Sequence, residues 1–92
     1  LNKKSRKVTR NSVLINLQPQ EYKLLEVLME NSNEVITRTM LLEKVWDLHF
    51  DPQTNIIDVH ISRLRKKIDK DHKVQLLHTI RGAGYSIQYN KV

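Results

Sequence analysis

The stretch Asn55-Ile56-Ile57-Asp58-Val59-His60-Ile61-Ser62-Arg63-Leu64-Arg65-Lys66-Lys67-Ile68 carries two patterns at once. Ile57, Ile61, Leu64 and Ile68 recur at steps of four, three and four, which is the buried seam of an amphipathic helix. With Ile57 at zero and about 100° per residue, Asn55, Val59, Ser62, Arg63 and Lys66 fall on the opposite side. His60 and Lys67 flank one edge of that arc, and Asp58 and Arg65 the other. A helix that only covers a core shows mixed Glu and Lys to water. This arc holds no acid. Arginine pairs bidentately with guanine, asparagine with adenine, and a small apolar group touches the thymine methyl. Lysine and serine suit phosphate oxygens.

The neighbouring sequence supplies a setting for this helix. Asp51 as cap and Pro52 at the first helical position predict that it runs over residues 52–70. Thr37 is a suitable N-cap for a helix over residues 38–46, with Met40, Leu41, Leu42 and Val45 turned inward. Pro19 and Glu21 open an earlier helix, whose stripe is Tyr22, Leu24, Leu25, Leu28 and Met29 and which ends at Asn31-Ser32-Asn33. Before it, alternation predicts strands over residues 6–9 and 13–16, joined by a turn at Asn11-Ser12. Val13, Ile15 and Leu17 then share one face. Val35-Ile36 is a two-residue apolar step. After a polar break at residues 69–73, strands over 76–80 and 85–89 flank the turn Arg81-Gly82-Ala83-Gly84. The two glycines are read as permitting positive φ in that turn. Two helices joined by a loop and followed by a hairpin make a helix-turn-helix with a wing. Its second helix belongs in the major groove, and a basic hairpin tip, here Arg81, in the adjacent minor groove.

Composition agrees. The 92 residues make one α+β domain over residues 1–92: N-terminal strands over 1–18, three helices over 19–70 and a wing over 71–92. The net charge is +6, with basic ends around an acidic middle, as expected of a nucleic-acid binder. The absence of cysteine excludes disulfides, thiolate metal sites and a cysteine nucleophile. No apolar run approaches a membrane span. The first residue is Leu1, and the chain reads as a soluble piece of a longer protein.

The segments Leu17-Gln18-Pro19-Gln20-Glu21-Tyr22-Lys23-Leu24-Leu25, Val45-Trp46-Asp47, 55–68 and Thr79-Ile80-Arg81-Gly82-Ala83-Gly84-Tyr85 together resemble the effector domain of OmpR/PhoB-type response regulators. The resemblance covers nearly the whole chain. It implies a bacterial, cytoplasmic winged helix that binds double-stranded promoter DNA as a head-to-tail homodimer, with no cofactor. It implies a receiver domain outside this sequence, phosphorylated on aspartate by a cognate sensor kinase. By position it makes Asn55, Val59, Ser62 and Arg63 base-contacting residues. It assigns Trp46, His60, Arg65, Thr79, Arg81 and Tyr85 to backbone or minor-groove contact, beside Lys66 and Lys67, which the helix arc assigns to phosphate. The loop holding Asp47, Leu48, His49, Phe50 and Asp51 looks like the one that meets RNA polymerase in this family, and is closest to the copper- and metal-stress branch. Gln18 stands where the family has Ser or Thr, so the first helix is expected to begin less sharply, and Ser62 often has a basic counterpart in relatives. An earlier strand of the family's N-terminal sheet has no counterpart beyond Leu1-Asn2, which leaves a sheet edge exposed.

Two other classes of protein compete with this reading. Asp47, His49 and Asp51 sit on one loop and suggest a metal or acid–base site, but no further histidine stands at ligand spacing to support them. A winged helix devoted to protein contact would show an apolar or acidic outer face instead of Arg, Asn and Ser.

Overall fold

The computed structural model describes residues 7–10, 12–49, 55–70 and 72–88. β1 (Val8–Arg10) and β2 (Val13–Ile15) form an antiparallel pair, with Val8 opposite Ile15 and Arg10 opposite Val13. Directly opposed residues share a face. Val8 and Ile15 bring that face onto the core, whereas Val13, at the turn end, overhangs it and stays 63% exposed. Val13 and Ile15 share a face as their spacing predicts, but only Ile15 and Leu17 pack on the core. The first strand is shifted to include Arg10, and Ser12 takes the left-handed turn position at φ 66°. Arg6 and Asn11 lie outside the described residues.

α1 (Pro19–Glu30) starts where the proline predicted. Its start is sharp despite Gln18, because the Glu21 carboxylate turns back and accepts the Gln18 N–H at 2.8 Å, half of a capping box. β3 (Ile36–Thr37) leads directly into α2 (Arg38–Trp46), whose cap is Thr37: its Oγ1 accepts the Met40 N–H at 3.2 Å. Leu41, Leu42 and Val45 point inward as expected, but Met40 is exposed. α2 closes at Asp47, in the left-handed region at φ 55°, with its N–H on the Glu43 carbonyl.

α3 (Ile56–Ile68) buries the whole expected seam, Ile57, Ile61, Leu64 and Ile68. Its start differs from the expected one. Asn55 is the non-helical cap, at φ −95° and ψ 31°, so the helix that carries the outward arc begins at Ile56 and not at Pro52. Asp51 and Pro52, expected as cap and first position, lie outside the described residues.

β4 (Leu77–Ile80) and β5 (Gly84–Ile87) form the hairpin, with Thr79 opposite Tyr85 and Ile80 opposite Gly84. Three bounds are corrected: Leu76 precedes β4, Gly84 belongs to β5 instead of to the turn, and β5 ends at Ile87, before Gln88. Tyr89 lies outside the described residues. β3 adds to the hairpin antiparallel, giving the order β3-β5-β4. The wing is thereby anchored to the start of α2. This anchoring also revises the reading of the glycines. Gly82, at φ 74°, has nothing near its missing Cβ, so conformation alone explains it. Gly84 also has the expected positive φ, at 157°, but there a Cβ would in addition stand 2.1 Å from the Ile36 carbonyl oxygen, so close backbone approach requires glycine as well.

The polar break after α3 contains a buried hub. Asp69 is 1% exposed. Its Oδ1 accepts the Leu76 N–H at 3.0 Å and the Arg10 guanidinium at 2.7 Å, and its Oδ2 accepts the Leu77 N–H at 3.0 Å. Arg10 also donates to the carbonyls of Ile68 and Val74. One carboxylate thus ties β1, the end of α3 and the entry to β4. Among the described residues no helix is long and apolar enough to cross a membrane.

Candidate nucleic-acid interface

With its seam against α1 and α2, α3 presents the opposite arc to solvent. Asn55, Ser62, Arg63 and Lys66 are exposed there, while Val59 is half-buried. The Asn55 side chain makes no capping hydrogen bond. Among the described residues neither Arg63 nor Lys66 meets an acid. Cations kept away from acids on a helix face are available to phosphate or base edges.

The two edges of the arc are built differently. On one side, Arg65 donates to Thr79 Oγ1 at 2.8 Å and Tyr85 donates its phenol proton to Asp58, so α3 is joined to both strands of the wing. Burial, then the hydrogen bond to Asp58 and its charge, push the Tyr85 phenol up to about 12, so it remains a donor at neutral pH. Arg38, at the first position of α2, approaches Asp58 at 3.4 Å. Arg38, Asp58, Thr79, Arg81 and Tyr85 line a groove of about 300 Å³ between α3 and the wing. Arg81 is exposed at the turn.

On the other side, His60 Nδ1 lies 2.8 Å from the Ile56 carbonyl oxygen. Its ring meets Trp46 edge-to-face at 5.0 Å. Lys67 is not an open cation: its Nζ lies 2.5 Å from Oε1 of Glu21, which is fully buried. Burial pushes the Glu21 carboxyl up, but the Lys67 ammonium and the Gln18 N–H outweigh it and hold the group below its ordinary value. Lys66 and Lys67, adjacent in sequence and paired in the expectation, therefore have different surroundings.

In the loop after α2, Asp47 and His49 are widely exposed, 4.0 Å apart. Leu48 packs on the core, with its N–H on the Leu42 carbonyl at 3.0 Å. Phe50 and Asp51 lie outside the described residues. Among the described residues no three of His, Asp and Glu gather as a metal would require.

Sequence reasoning passed over Arg38 and took Glu21 only as a favourable first-turn charge. Arg38 carried a signal. A cation at a helix N-terminus faces the positive end of the dipole and calls for an acidic partner, which is Asp58. Glu21 had no comparable signal, because an acid in a first turn is ordinary.

Three helices with the third flanked by a hairpin that is hydrogen-bonded to it define a winged helix-turn-helix. Residues 11–87 match the family model described as "Transcriptional regulatory protein, C terminal". The chain belongs to this family, the C-terminal DNA-binding domain of OmpR/PhoB-type response regulators, whose members regulate transcription and are not enzymes. It is 45% identical over 84 residues to the transcriptional regulatory protein CusR of Escherichia coli (strain K12), a match covering 91% of this chain and 37% of CusR. The chain thus spans little more than a third of that relative's length. Its structure is similar to the DNA-binding domain of CpxR from E. coli, with a TM-score of 0.83 and 30% identity over 96% of this chain and 87% of that one. It is equally similar to the Klebsiella pneumoniae RstA DNA-binding domain in complex with RstA box, with a TM-score of 0.84 and 25% identity over 95% and 87%.

Proposed function

We propose that this chain binds double-stranded DNA sequence-specifically, with α3 in the major groove and the wing at the adjacent minor groove. The observation that carries the reading is the outward arc of α3, whose cations have no acidic neighbour among the described residues while its edges are fastened to the wing and to α1. A rigid helix with unneutralised base-reading side chains is pre-organised for a groove. The RstA domain, of the same fold, was solved with DNA.

Asn55, Val59, Ser62 and Arg63 read base edges. Lys66, His60 and Trp46 hold backbone on one side; Arg65, Thr79, Tyr85 and Arg81 do so on the wing side, where Arg81 reaches toward the minor groove. Lys67 contributes mainly by neutralising Glu21. In the parent protein a receiver domain phosphorylated by a sensor kinase would control this domain, head-to-tail homodimers would occupy repeated sites, and the loop from Asp47 would face RNA polymerase.

Selection of duplexes from a random pool tests the reading and yields the cognate site. Arg63→Ala should then cost about 1–3 kcal/mol on the selected duplex and much less on a scrambled one. Equal losses on the two duplexes would make Arg63 a phosphate contact, and failure of wild type to select any duplex would overturn the function.

The two lysines separate in a salt titration. Lys66→Ala should flatten the plot of log affinity against log salt by about one unit. Lys67→Ala should change that slope little but lower the Tm, because it leaves the buried Glu21 carboxylate without its cation. Equal slopes for the two variants would refute the distinction.

A further inference from the structure

Asp58 is the single acid within α3, and its side chain is 54% exposed beside the groove between that helix and the wing. Two donors converge on it: Arg38, from the start of α2, and the Tyr85 hydroxyl, from β5. An ion pair this exposed adds little to stability, so fold maintenance alone does not account for a carboxylate set among groups suited to phosphate. Its charge has a second consequence. Any polyanion entering the groove meets the carboxylate itself, and meets an Arg38 whose charge is already partly offset.

We infer that Asp58 is a specificity-determining residue, which uses its negative charge at the helix–wing groove to suppress binding to non-cognate DNA more than binding to the cognate site. The inference rests on the proposed DNA-binding function. Non-cognate complexes depend almost wholly on phosphate attraction, so one like charge on the interface weakens them directly. In the cognate complex base contacts supply part of the affinity. The Tyr85–Asp58 bond, present without DNA, holds the wing at a fixed distance from α3, and only the cognate complex, with its base contacts in register, uses that fixed geometry. The repulsion is thus partly offset in one complex and not in the other.

The test uses the selected duplex, a scrambled duplex and a salt series. Asp58→Asn removes the charge while keeping an oxygen that can accept from Tyr85. Asp58→Ser is a second neutral variant, and Asp58→Glu keeps the charge. In both neutral variants affinity for the scrambled duplex should rise about three- to tenfold. Affinity for the selected duplex should change less than about twofold, so the specificity ratio falls. The scrambled-duplex salt slope should steepen by up to about one unit as Arg38 comes to face phosphate, and Asp58→Glu should keep the wild-type ratio. Equal gains on both duplexes, losses on both, no change, or unfolding of both neutral variants would overturn the inference. If wild type binds no duplex selectively, it is the proposed function that fails.

Discussion

Asp69→Asn is expected to be among the most destabilising conservative substitutions in this chain, costing about 3 kcal/mol and lowering the Tm by roughly 10–20 °C. The carboxylate is 1% exposed, and among the described residues its partners are all donors: the Leu76 and Leu77 N–H groups and the Arg10 guanidinium. An asparagine keeps the shape but brings an NH₂ to a site where only acceptors fit. One backbone donor or the guanidinium then loses its partner, and the partly buried guanidinium loses its counter-charge. Leaving one half of such a pair buried and uncompensated is the costly case, far more so than replacing both halves. Arg10→Ala leaves Asp69 its two backbone donors but strips the buried carboxylate of its counter-charge, so it should also destabilise the chain clearly. Thermal melts of the two single variants and the double variant give the coupling directly. A Tm for Asp69→Asn within about 3 °C of wild type would mean that the hub is not holding β1, α3 and β4 together.

Gly84→Ala is expected to cost about 2–4 kcal/mol, and Gly82→Ala only about 1 kcal/mol. Both glycines have positive φ, at 157° and 74°, but their surroundings differ. A Cβ at position 82 meets nothing within 4 Å; at position 84 it would meet the Ile36 carbonyl oxygen at 2.1 Å and Thr37 Cα at 3.0 Å. Those atoms are backbone and cannot swing aside. β3 would have to part from β5, and with it goes Thr37, the cap of α2. The wing would then lose its tether to the helices, so specific DNA binding should fall along with stability. Urea unfolding of the two variants decides the matter. Equal losses would show that turn conformation, not strand approach, is what glycine serves at position 84.

The parts of this fold that follow from local chemistry were legible in the chain itself. Pro19 and Thr37 mark the starts of α1 and α2 because a ring without an N–H and a hydroxyl acceptor each suit one position only. The Ile57–Ile68 seam is buried as its spacing requires, since a period near 3.6 leaves no other common face. From that seam followed the outward placement of Arg63 and Lys66, and the motifs in order led to the family. What depended on residues far apart in sequence was decided only by the tertiary structure. Lys66 and Lys67 are alike by composition, but only Lys67 comes beside a buried carboxylate 46 positions earlier. Asp69 reads as part of a polar break, yet Arg10, 59 positions before it, makes it the hub of three elements. Gly84 reads as a turn residue until β3 is laid against β5. Periodicity reports which face of an element is buried, because that is a property of one helix or strand. It does not report which charge or backbone group another element will bring to that face. Side chains paired across elements, including Asp58 with Arg38 and Tyr85, were therefore settled by packing alone.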